Sequence, residues 1–236
     1  MQNEFDWEKL NDEFPLTREY DRTGFIALSS RTLRHFEISQ KLEGRMPYFV
    51  FENPFVKDDF EGIKDFSTHI LEFVRDEPIT FFAEIKECFF LAESAENQID
   101  DRLMDLATWA SFLGIPFKFF LKENDQYREI SVMDEIQNRL SRIKEERILK
   151  IRTPTKLTIS GDYGSSGLWG VYGMVSYDSL DLPFEFIRRL TVWAESYWNF
   201  LDGPCTKEWC AAYSHLQELF AEELRIRLKI KVDSIP

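Results

Sequence analysis

The sequence predicts an α+β fold, predominantly helical with a small number of short strands. Three observations predict it. Apolar residues recur at helical spacing over several long stretches, whereas alternating or β-prone runs are few and short. Pro and Gly fall between these stretches, where turns belong. The chain is 44% hydrophobic with 22 Phe and 6 Trp in 236 residues, enough core for one large domain or two small ones.

Residues 29–43 open with Ser29-Ser30, carry Leu33, Phe36 and Leu42, and end at Gly44, the pattern of a capped helix. Met46 to Phe51 is a short β-prone run closed by Asn53-Pro54. From Val56 to Arg75, the apolar positions Phe60, Ile63, Phe66, Ile70 and Phe73 follow a helix, which Pro78 stops. Ile79 to Leu91 reads equally as a buried strand or a short helix. Ala95 to Leu113 repeats the helical spacing through Ile99, Leu103, Leu106 and Trp109, with Gly114 as terminator. Phe117 to Leu121 reads as a strand, and Ser131 to Leu149 as a helix with its Lys and Arg toward the end, where the macrodipole prefers them.

Thr153-Pro154 marks a boundary, giving an acidic, mainly helical region over 1–153 and a second region over 154–236, the two also readable as one continuous domain. In the second, Lys156 to Ser160 alternates like a strand and Gly161 to Gly173 reads as a loop or hairpin. Pro183 begins a helix that ends at Asp202-Gly203-Pro204, and another runs from Thr206 through Leu224. Arg225 to Val232 alternates as a closing strand.

Charge and motifs narrow the function classes. The formal charge is -13, and it is uneven: residues 1–100 hold 22 acids against 11 bases, residues 101–236 hold 20 against 18. Such acidity argues against nucleic-acid binding, which needs clustered Lys and Arg. The acidic start of the chain carries no basic-then-apolar leader, and Trp109 to Leu121 is interrupted by Gly114, Pro116 and Lys118, so neither a secretory signal nor a membrane span is expected. Cys88, Cys205 and Cys210 are odd in number, and the expectation is reduced thiols in the cytoplasm. His35, His69 and His215 have no His or Cys at ligand spacing, so no metal is expected, and His69 falls at the edge of an apolar helix face. Gly164-Ser165-Ser166-Gly167 lacks the spacing of a nucleophile elbow, and no lysine follows to make a phosphate loop; a tight turn accounts for it. No catalytic residue and no cofactor are therefore expected. The pairs Asp100-Asp101 and Glu145-Glu146 read as solvated faces.

The segment Ile159 to Phe200 runs from an alternating strand through Tyr163-Gly164-Ser165-Ser166-Gly167-Leu168-Trp169 and Val175-Ser176-Tyr177-Asp178-Ser179-Leu180 to a helix with Trp193 and Tyr197; Leu216, Phe220, Glu223-Leu224 and Val232 continue the pattern. It resembles a group of small bacterial proteins encoded beside polymorphic toxins, some of them immunity proteins of contact-dependent growth inhibition systems. The resemblance covers the C-terminal third and departs from the group at Gly170, where an Asp usually follows the Trp. It implies a non-enzymatic inhibitor that occludes the active site of a basic toxin domain, such as an RNase.

Asp58, Glu61, Asp65 and Glu72 fall on one face of the 56–75 helix, opposite its phenylalanines. They are the expected partner-binding residues, the plainer reading being an ordinary wet face. Two other function classes remain open: an acidic nucleic-acid mimic, which needs carboxylates along an extended surface, and an enzyme whose site gathers Asp162, Tyr163, Trp169 and His215.

Overall fold

The structure, a computed structural model, describes residues 22–28, 48–51, 74–93, 99–124, 126–161, 166–202 and 207–235. Helices take about half of these and strands about a quarter. That corrects the predominantly helical expectation: the fold is mixed α/β, with a five-stranded and a four-stranded sheet. The chain divides into two compact units, which meet in sequence at Leu149 and Lys150.

The first unit is built from β1 (Arg22–Ala27), β2 (Tyr48–Phe51), α1 (Pro78–Phe82), β3 (Ile85–Glu93), α2 (Asp101–Phe112), β4 (Phe117–Glu123), β5 (Gln126–Ile130) and α3 (Met133–Lys150). Its sheet has the order β2-β1-β3-β4-β5. β1 pairs in parallel with β2 and β3, and β3 with β4, while β5 returns antiparallel as a hairpin. The run Cys88-Phe89-Phe90-Leu91-Ala92 is apolar on both sides, as suits β3, an inner strand paired in parallel on both sides and largely buried along this run. On one face Phe25 stacks on Phe89 at 5.0 Å, with Leu91 and Phe120 alongside; on the other Phe90 stacks on Phe119 at 5.8 Å.

Pro78 does mark a helix end: residues 74–76 are helical and the run breaks before it. Pro78 itself occupies the first turn of α1, where its missing N–H is no loss. α2 packs on β3 and β4 and buries Leu103, Leu106, Trp109 and Ala110. It closes with Gly114 in the left-handed region (φ 74), whose N–H donates to Ser111 while that of Ile115 donates to Ala110. Those two bonds satisfy carbonyls that the helix end leaves open.

The second unit contains β6 (Lys156–Ile159), β7 (Leu168–Gly170), β8 (Gly173–Met174), a 3-10 turn (Tyr177–Ser179), α4 (Phe184–Asp202), α5 (Lys207–Leu228) and β9 (Lys231–Ser234). The sheet order is β8-β7-β6-β9, with β6 and β9 parallel and the rest antiparallel. α5 runs further than the alternation after Arg225 implies; the chain turns at Lys229 (φ 55) before β9. Gln217 in α5 joins helix to sheet, its buried amide donating to the carbonyls of Ile159 (2.9 Å) and Ile235 (2.6 Å).

Candidate functional site: an acidic cleft at the sheet's switch point

From β1 the chain continues to β2 on one side of the sheet, whereas from β3 it continues to β4 on the other. The carboxyl ends of β1 and β3 thus flank a topological switch point, where open α/β sheets leave a crevice for ligands. A cleft of about 1090 Å³ opens there. Leu28, just past β1, Met104, Ile130 and Val132 supply apolar lining; Glu93 at the end of β3, Asp100 and Asp101 at the start of α2, and Asp134 and Glu135 at the start of α3 supply five carboxylates. Among the described residues Arg139 is the one guanidinium in the lining, with Ser131 and Asn138 as the neutral polar groups.

The side chains set the charge preference of this crevice against the usual one. A helix N-terminus pointing into a switch point ordinarily favours a phosphate. Here Asp100 occupies that end of α2, its carboxylate accepting the Arg102 backbone N–H at 2.8 Å and the Arg102 guanidinium at 3.0 and 3.1 Å. Burial pushes the Asp100 carboxyl up, but the hydrogen bonds from Arg102 and its charge outweigh this and hold it below the ordinary aspartate range. An anion would meet the cap and four further carboxylates; a cation would be attracted.

Arg139 is held by two of these acids and by Asp105. Its guanidinium donates to Asp101 at 2.7 Å, Asp105 at 2.9 Å and Glu135 at 2.8 Å, and Arg142 adds a second contact to Asp105. The pairs to Asp101 and Asp105 fasten α3 to α2 along one wall. The guanidinium fork matches the carboxylates it meets.

The Asp100 cap gives a direct prediction. Asp100→Ala is expected to cost about 1 kcal/mol at neutral pH, the usual value of an N-cap. Because its folded pKa lies below the unfolded value near 4, the ionised cap stabilises above that pH and its contribution fades as pH falls through the folded value. Urea unfolding of wild type and variant should thus differ at pH 7 and converge toward pH 3; an undiminished difference at pH 3 would contradict the assignment.

The expected site residues fare differently. Asp58, Glu61, Asp65 and Glu72 lie outside the described residues, as do residues 29–43, expected as a helix, and His35, His69, Cys205, Asp162 and Tyr163. Of the other residues considered for an enzymatic site, Trp169 is half-buried on β7 and His215 is exposed on α5. The pair Asp100-Asp101, read as a solvated face, borders the cleft instead. The signal that would have found the site is the recurrence of paired acids in the first turns of two helices, Asp100-Asp101 and Asp134-Glu135. Cys88 is buried in β3, and burial together with the neighbouring Glu87 pushes its thiol up, which makes it inert.

Comparison with protein-family models, with curated proteins and with solved structures finds no match to the chain. Among the described residues no helix is long and apolar enough to cross a membrane, and no cluster of three or more His, Cys, Asp or Glu is placed to hold a metal ion.

Proposed function

We propose that the chain is a cytoplasmic immunity protein that captures a basic toxin domain, a nuclease such as an RNase, and blocks its active site. The acidic cleft is the observation that carries this reading: among the described residues, five carboxylates against one guanidinium, around an apolar interior. Nuclease toxins are basic because they hold a polyanion, and an inhibitor of net charge -13 is steered onto such a surface, roughly 10- to 1,000-fold faster at low salt. The resemblance of the C-terminal third points the same way. A nucleic-acid mimic fits less well, since it presents carboxylates on a convex, extended surface, whereas these line a concavity.

The test is protection. The reading requires a toxin gene beside this one; its toxin domain is expressed in a bacterial host with and without the chain, and growth is followed. Expected is restored growth and a purified complex whose association rate falls steeply between low and physiological salt, as screening shortens to about 8 Å. Unrelieved toxicity, or capture indifferent to salt, would overturn the proposal.

A further inference from the structure

Resting on that reading, we infer that the switch-point cleft is the contact itself and that it takes an extended lysine- or arginine-bearing segment of the partner, with Asp134 as the recognition carboxylate. The lining separates into two kinds of surface. Leu28, Ile99 and Ile130 are half-buried and form the accessible apolar floor, with Met104 and Val132 almost fully buried in the same lining. Lys and Arg carry three or four methylenes before their charge, so a basic side chain lays its stem on such a floor and its head at the rim.

The acids at the rim are not equivalent. Asp101 and Glu135 are engaged by Arg139, and Asp100 by the helix end and Arg102. Asp134 is exposed on the first turn of α3, borders the cleft, and makes no ion pair among the described residues. Asn138, one turn further along the same helix, lies on the same face and adds a neutral acceptor beside it. An incoming ammonium or guanidinium is thus offered a carboxylate that no internal cation holds. Arg139, already neutralised, adds little repulsion while it fixes the wall.

The probe is a short fluorescent peptide of alternating lysine and alanine, with the same peptide fully acetylated on its lysines as control. Fluorescence anisotropy at low salt measures its affinity for wild type, Asp134→Asn, Asp134→Lys and Glu145→Lys. Glu145 is exposed on the same helix outside the cleft, so its reversal changes net charge equally. Expected is binding of the lysine peptide alone, weakened at least tenfold by Asp134→Lys, to a smaller extent by Asp134→Asn, and less than about twofold by Glu145→Lys. Thermal unfolding of each variant establishes that it is folded.

No binding to wild type, equal binding of the acetylated peptide, or equal weakening by both reversals would overturn the inference. The protection assay separates the two claims. Growth restored by wild type and equally by Asp134→Lys sinks the cleft as the contact and leaves the immunity reading standing; growth unrestored by wild type sinks that reading.

Discussion

Replacing Trp193 by alanine is expected to destabilise the Lys150–Pro236 unit by about 4 kcal/mol, the middle of the range for removing a buried tryptophan. Trp193 is fully buried on α4 and is the hub of an aromatic cluster. Its ring stacks on Tyr213 at 4.9 Å and lies 6.0 Å from Phe220, and its Nε1–H donates to the Tyr213 carbonyl at 3.2 Å. Trp209 stacks on the other side of Tyr213 at 5.2 Å, so Tyr213 has little room to relax into a cavity. The Tyr213 hydroxyl is buried without a hydrogen-bond partner among the described residues and lies against Gly161, where even one added methyl would collide with it. Gly167 approaches from the loop in a left-handed conformation (φ 70), and a Cβ there would come within 2.9 Å of the Trp193 ring. Trp193→Phe, which keeps a ring but loses the indole N–H, should cost about half as much. Trp169→Ala should cost only about 1 kcal/mol, because Trp169 on β7, paired between Thr158 and Met174, is half-buried rather than at the centre of the core. Urea unfolding followed by far-ultraviolet circular dichroism ranks the three; an equal or larger effect at Trp169 would refute the placement of the core.

That ranking also shows where the sequence was legible. The structure brings Gly167 to Trp193, a contact made by the absence of a side chain and so invisible to a search for aromatic partners. Helical spacing located α2, α3, α4 and α5 because each buries one stripe. Strands were undercounted for opposite reasons. β5, Gln-Tyr-Arg-Glu-Ile, is an exposed edge with no apolar run to detect. β3 is apolar on both faces and shows no alternation, so Ile79 to Leu91 read as strand or helix when it holds a helix and then a strand. β1 carries Gly24 where Ile85 and Cys88 pack close by, and a glycine in mid-strand weakens any propensity signal. The cleft was hidden more deeply. It joins the ends of β1 and β3 to the first turns of α2 and α3, and only the strand order brings those four places together.

Arg139→Ala is expected to lower the stability of the Asp21–Leu149 unit by about 2 kcal/mol, and Tm by roughly 4–8 °C. The figure follows from which of its three pairs are sheltered. Asp101 is 82% exposed and Glu135 51%, so solvent and salt screen those pairs to a few tenths of a kcal/mol. Asp105 is 22% exposed and Arg139 itself 18%, and this sheltered pair carries most of the effect. Arg142 still reaches Asp105 in the variant, which keeps the loss below the 3–5 kcal/mol typical of a fully buried carboxylate left alone. Arg139→Lys should recover less than half, since an ammonium cannot serve three carboxylates in the directions a guanidinium does. Binding should move the other way. Removing Arg139 releases Asp101 and Glu135 into the cleft, so the lysine peptide should associate faster and more tightly even as the unit becomes less stable. Thermal unfolding and anisotropy on the same preparation read the two effects together. A variant that loses stability and peptide affinity in parallel would show that Arg139 shapes the site, rather than competing with the partner's cation for its carboxylates.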